Sequence, residues 1–178
     1  MHRDVVDQAT TIRPRTEADL PGAAAALVTV HAADGYPVEG VDDPQAWLTQ
    51  DGVLQAWVAE KGGKIVGHAM LSRPQGEDAV RMWIEQSGDT ADHVAVGARL
   101  FVTPEARSEG LGERLIRVAF GYAQGHGLRV VLDVMAKDKA AIRLYERIGM
   151  QRIGTAKHTY GEGQEVEAVC YVSPEAST

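Results

Sequence analysis

Residues 107–112 read Arg-Ser-Glu-Gly-Leu-Gly, and an arginine beside two glycines supplies what a phosphate needs. Glycines let an anion approach the backbone, and a guanidinium adds a forked cationic donor. The apolar run Leu100-Phe101-Val102 ends just before Thr103-Pro104, and Leu111, Leu115, Val118, Ala119 and Tyr122 then recur at helical spacing. The turn therefore joins a strand to the first turn of a helix, where free N–H groups and the positive end of the helix dipole converge. Taken alone, the stretch reads equally well as an ordinary strand-to-helix loop with two permissive glycines.

Two nucleotide patterns fail on what is missing. A Walker loop ends in Gly-Lys-Ser/Thr, whereas this chain has Gly112-Glu113-Arg114. A dinucleotide fingerprint needs a third glycine where Leu115 stands. The Arg-x-x-Gly-x-Gly form instead resembles the pyrophosphate loop of the GCN5-related N-acetyltransferases (GNAT), which hold acetyl-CoA. Val102-Thr103-Pro104 is a lead-in typical of that family.

A second stretch strengthens the resemblance. Leu132-Asp133-Val134 is followed by Asp138 and then by Ala141-Ile142-Arg143-Leu144-Tyr145-Glu146-Arg147-Ile148-Gly149-Met150. This is similar to the family's Ala-Ile-x-Leu-Tyr-x-x-x-Gly-Phe, with Met150 in place of the final aromatic. The resemblance spans roughly residues 10 to 172.

The resemblance implies roles at the matching positions. Backbone groups of Leu100, Phe101 and Val102 would pair with the pantetheine amides much as an added strand does. Arg107, Ser108, Glu109, Gly110, Leu111, Gly112 and Glu113 would surround the pyrophosphate. Ser108 and Glu109 replace the more usual glycine and glutamine, but backbone donation needs neither side chain. Asp138 stands where the family often has an asparagine contacting CoA; a carboxylate there repels phosphate yet can cap the following helix. Acetyl-CoA is the implied co-substrate.

Transfer of acetyl to an amine makes two demands. The ammonium must lose a proton before its lone pair attacks, and the departing thiolate is best met by a donor. Tyr145 is the candidate donor, because a phenol with a reference pKa near 10 stays protonated at neutral pH. It also reads as a core aromatic between Ile142 and Ile148. Asp133 is the candidate base, one methylene shorter than the glutamate some members of the family have there. Asp92, His93 and His68 are further base candidates, though His68 reads more readily as a satisfied core histidine. Tyr36 and Glu39 in the loop Ala33–Val41, Trp83, and His158-Thr159-Tyr160 are candidate acceptor contacts. The expected activity is direct attack by a primary amine in a ternary complex. The rival is a non-catalytic acyl-CoA-binding or sensing domain.

Composition narrows the setting. The chain has 178 residues, 44% of them hydrophobic, which fits one domain over residues 1–178 with a proper core and short frayed termini. A net charge of −7 disfavours nucleic acid and leans weakly towards a cationic amine. No apolar run approaches the ~20 residues of a membrane span, and the first residues lack the apolar core of a signal peptide. A cytoplasmic protein without membrane contact is expected. The family commonly forms homodimers, so the resemblance allows one here. Cys170 is the single cysteine and lies in the alternation Val166, Ala168, Cys170, Val172, which predicts a buried strand position rather than a catalytic thiol. The six histidines form no metal-binding pair at helical spacing, so no metal is expected.

The elements that must position these groups follow from the periodicity. A first strand falls at Thr11–Arg15, a helix at Leu20–His31 after possible caps at Thr16 and Asp19, and a loop at Ala32–Val41. A short helix near Asp43-Pro44 carries Trp47 and Leu48. Strands at Leu54–Glu60 and Lys64–Leu71 form a hairpin through Gly62-Gly63, and a small helix covers Ala79–Gln86. The central strand runs from about His93 to Val102. A helix then ends near Gly125-His126-Gly127, and a strand follows at Val130–Val134. A further helix covers Lys139–Ile148 with Gly149 as its stop, and strands close the chain at Gln151–Lys157 and Glu165–Val172. This order predicts an α/β protein with a mixed central sheet of about seven strands and helices on both faces, the GNAT topology. The crossover from residue 95 to 134 predicts a parallel pair in the middle.

Overall fold

The computed structural model describes residues 9–37, 40–160 and 162–175. The expected frayed ends and Glu39 lie outside the described residues, as do the side chains of His158 and Tyr160. Seven strands, β1 (Thr10–Pro14), β2 (Val53–Lys61), β3 (Lys64–Ser72), β4 (Val94–Val102), β5 (Arg129–Met135), β6 (Gln151–Tyr160) and β7 (Gln164–Val172), hydrogen-bond in the order β1-β2-β3-β4-β5-β7-β6. The sheet is mixed: β4 and β5 run parallel, while β1–β2, β5–β7 and β6–β7 are antiparallel. Among the described residues five α-helices accompany it: α1 (Leu20–Asp34), α2 (Pro44–Leu48), α3 (Asp78–Ser87), α4 (Leu111–Gly125) and α5 (Lys139–Arg147).

The chain forms two compact units. One comprises the residues up to Met70 together with Arg99–Ile116. Its core joins Leu27 and Val30 of α1 to Leu48, Val58, Ile65 and Phe101. A 3-10 turn at Glu17–Asp19 leads into α1, and the Thr16 backbone N–H and hydroxyl both donate to Asp19 Oδ2 across it, at 2.7 and 3.0 Å. Arg13 holds the same carboxylate by both terminal nitrogens, at 2.7 and 2.8 Å, and keeps it well below the usual carboxylate pKa range. The helix does not stop at His31 but runs one turn further to Asp34. Ala32 and Ala33 favour helix, and Gly35 at φ +75° is the residue that ends it.

The other unit comprises Leu71–Ala98 together with the residues from Arg117 on. Its core packs Ala79 and Val80 of α3 against Val94, Val96, Val131, Cys170 and Val172. The parallel pairing sets Val94, Ala95 and Val96 opposite Arg129, Val130 and Val131. His93 falls outside the strand, in a 3-10 turn at Ala91–His93, so β4 begins one residue later than its apolar pattern implied. Asp138 caps α5, its Oδ1 accepting from the Ala141 N–H at 3.1 Å, and Gly149 at φ +93° follows the helix.

Candidate active site

In the first unit, the strand end and the glycine-rich turn lie in succession. A 3-10 turn at Pro104–Ala106 follows β4, and α4 opens at Leu111. Between them Ser108 and Gly110 adopt φ +71° and +74°. A left-handed serine is uncommon, and glycine is the residue that takes this region without strain. A Cβ at Gly110 would meet nothing within 4 Å, so the backbone there faces open space from which an anion can approach.

The loop is braced by side chains of the same unit. Arg107 donates through Nε to the Val102 carbonyl at 3.1 Å, and through both terminal nitrogens to the Asp34 carboxylate at 3.3 and 2.5 Å. Lys61 pairs with Glu109 at 2.9 Å and Lys64 with Glu105 at 2.8 Å. The Lys61 pair offsets the negative charge that Glu109 brings to the loop. Leu111 is buried and Glu113 lies in the first turn of α4. With the Arg107 fork engaged, the phosphate donors left in the loop are its backbone N–H groups. These residues suit a pyrophosphate.

Upstream in β4, Arg99 takes φ +56°, and its side chain leaves the strand to reach α2. Its Nε donates to the Trp47 carbonyl at 3.1 Å, the guanidinium lies 4.0 Å over the Trp47 ring, and a terminal nitrogen donates to Gln50. Tyr36 meets the same Trp47 ring edge-on at 5.7 Å. His68 is fully buried and stacked on Phe101. Its Nδ1 lies 2.9 Å from the Arg99 carbonyl and its Nε2 2.9 Å from the Arg15 guanidinium. A carbonyl can only accept and a guanidinium can only donate, so Nδ1 carries the proton and the Nε2 lone pair is already used. Burial, with Arg15 and Arg99 adding to it, pushes the imidazole down to about 4. His68 is a structural histidine.

In the second unit, register sorts the candidates by face. Cys170 belongs to the core under α3, whereas the next residue, Tyr171, sets its ring 5.9 Å from that of Tyr145 on α5. Asp133 pairs directly with Cys170 across the β5–β7 ladder and so shares its face. Asp133 and Tyr145 therefore stand on opposite faces of that ladder. Asp133 is exposed and Tyr145 is buried. The Cys170 thiol is raised to about 11, by burial first and then by Asp133 and Asp78, so it is no nucleophile. Asp92 and His93 are exposed. Trp83 carries the Arg129 guanidinium 4.9 Å over its ring, which accounts for it as packing. Asp34, Tyr171 and the bracing lysines carried no sequence signal. Among the described residues, no group of three His, Cys, Asp or Glu is placed to hold a metal ion.

A family profile described as the acetyltransferase (GNAT) family matches residues 24–150. The chain belongs to the GNAT family. It is 30% identical over 131 residues to a mycothiol acetyltransferase of Paenarthrobacter aurescens, covering 64% of this chain and 41% of that protein. It is 30% identical over 102 residues to the N-alpha-acetyltransferase RimI of Mycobacterium tuberculosis, covering 57% and 55%. The chain thus spans about half the length of the curated relatives it matches. A solved structure of Arabidopsis thaliana NAA60 in complex with acetyl-CoA superposes with a TM-score of 0.70 at 19% identity, over 92% of this chain and 97% of that one. At that identity the likeness is one of GNAT fold.

Proposed function

We propose that the protein is an acetyl-CoA-dependent N-acetyltransferase that moves the acetyl group to an amine by direct attack in a ternary complex. Acetyl-CoA supplies the activated thioester. Backbone groups of Leu100–Val102 hold the pantetheine arm, and the N–H groups of residues 108–112 hold the pyrophosphate.

The observation that carries the reading is the placement of Asp133 and Tyr145 on opposite faces of one ladder. Direct acyl transfer needs a base for the incoming nitrogen and an acid for the outgoing sulfur, and these two atoms lie on different sides of the reacting carbon. Asp133, exposed to solvent, takes the ammonium proton through water and passes it to bulk. The nitrogen forms its bond to the acetyl carbon as the carbon–sulfur bond breaks, the Tyr145 hydroxyl protonates the sulfur, and the second proton shed by the nitrogen restores the Tyr145 phenol through solvent. The products are an acetamide and CoA thiol. The high pKa of the Cys170 thiol speaks against a covalent acetyl-enzyme.

The test is thiol release from acetyl-CoA across a panel of polyamines, amino acids, aminoglycosides and N-terminal peptides. Amine-dependent thiol release with a matching acetamide supports the reading. Tight acetyl-CoA binding without turnover on any amine would overturn it in favour of a sensing domain.

A further inference from the structure

We infer that Tyr171 and Glu146 are positioning residues for the Tyr145 hydroxyl, which rests on the reading of Tyr145 as the proton donor. Tyr171 is fully buried on β7, where it pairs with Leu132 and Arg152 across the ladders. Its ring packs against that of Tyr145 at 5.9 Å with the planes 52° apart. Its hydroxyl donates to Glu146 Oε2 at 2.8 Å.

Strand β7 thus grips two successive residues of α5 with one side chain. Successive helical positions diverge by about 100° around the axis, so two such grips fix the rotation of the helix as well as its distance from the strand. Rotation matters most for a long side chain. A turn of about 10° would carry a hydroxyl roughly 8 Å from the helix axis by roughly 1.4 Å. Displacement on that scale is enough to take a proton donor out of line with its target.

The chemistry of the second grip suits the task. A buried phenol needs an acceptor, and a carboxylate makes the stronger bond. Burial and then Glu146 raise the Tyr171 pKa, so its proton stays on the phenol, with Arg152 acting weakly the other way. Glu146 is itself exposed, and its Oε2 reaches inward to accept from the buried hydroxyl.

The experiment compares kcat and the acetyl-CoA KM of Glu146→Ala, Glu146→Gln, Tyr171→Phe and Tyr145→Phe on the best amine of the panel. Glu146→Ala and Tyr171→Phe should each lower kcat about 5- to 50-fold while KM stays within about twofold. Glu146→Gln keeps an oxygen acceptor and should restore most of the rate. In a Tyr145→Phe background, Glu146→Ala should have no further effect. Unchanged kcat in Glu146→Ala beside an impaired Tyr145→Phe overturns the positioning role, as does an equal loss in both backgrounds. An unimpaired Tyr145→Phe instead sinks the donor reading, and the positioning role with it. If Tyr171→Phe fails to fold, the exposed Glu146 pair still decides the matter.

Discussion

Asp34 holds both terminal nitrogens of Arg107, at 3.3 and 2.5 Å, while the Arg107 Nε donates to the Val102 carbonyl. The last residue of α1 thereby braces the loop that follows β4. Both partners are about two-fifths exposed, so the pair contributes no more than about 1 kcal/mol to stability. Its larger effect is on the shape of the loop. Arg107→Ala should weaken CoA binding severalfold by calorimetry, and Asp34→Ala should do nearly the same. The double variant should be little worse than either, because the second change removes a partner already lost. Full additivity would show that Arg107 contacts the phosphate directly.

Ser108 at φ +71° pays a left-handed penalty that glycine avoids. Ser108→Gly should stabilise the protein by up to about 1 kcal/mol, net of glycine's greater freedom in the unfolded chain. Ser108→Val should destabilise by more than that, since a β-branched residue tolerates this region least. Urea denaturation of the three proteins decides it, and the order Gly, Ser, Val is the expected ranking.

Much of this was legible in the sequence because it is local. The hairpin at Gly62-Gly63, the alternation through Cys170 and the helix from Lys139 each declare themselves within a few residues. What escaped depends on partners brought together by folding. Asp34 and Arg107 are 73 positions apart, and nothing at either end announces the other. In the sequence Asp34 reads as loop because the apolar pattern fades after His31, although the alanines that follow carry the helix on. The facing of Asp133 and Tyr145 needed the β5–β7 register, since a one-residue slip would exchange the faces. The sequence favours a core position for His68 over a catalytic one, but it cannot show which nitrogen carries its proton.

Asp133→Asn keeps the size of the side chain and removes its basicity. If Asp133 is the base, kcat should fall by about 10²-fold or more, with acetyl-CoA affinity unchanged by calorimetry. Amines of lower pKa, which arrive already deprotonated, should lose less. An equal loss for all amines would assign Asp133 a structural role.

Cys170 should be inert in the folded protein. It is fully buried and its thiol is raised to about 11, so at pH 8 only about one molecule in a thousand carries a thiolate there. Iodoacetamide should leave the native protein unmodified by mass spectrometry and label it once in denaturant. Rapid native labelling with loss of activity would reopen the thiol as a functional group.

The buried His68 makes stability depend on pH with a definite sign. Its pKa is about 4 in the folded protein and about 6.5 in the unfolded chain. Above pH 6.5 neither state binds the proton, so stability is at its full value. Below it the unfolded chain takes up a proton that the folded protein refuses, and stability falls until the folded pKa is passed. The loss between pH 6.5 and pH 4 should reach about 3 kcal/mol. His68→Gln can still accept from Arg15 and donate to the Arg99 carbonyl, but it does not titrate. That variant should be less stable at pH 7, since the amide replaces the ring stacked on Phe101, yet flatter with pH across the same window. Urea midpoints from pH 4.5 to 7.5 separate the two proteins. Equal slopes would mean that another group carries the acid sensitivity, and that the folded protein admits a proton at His68 more readily than its surroundings suggest.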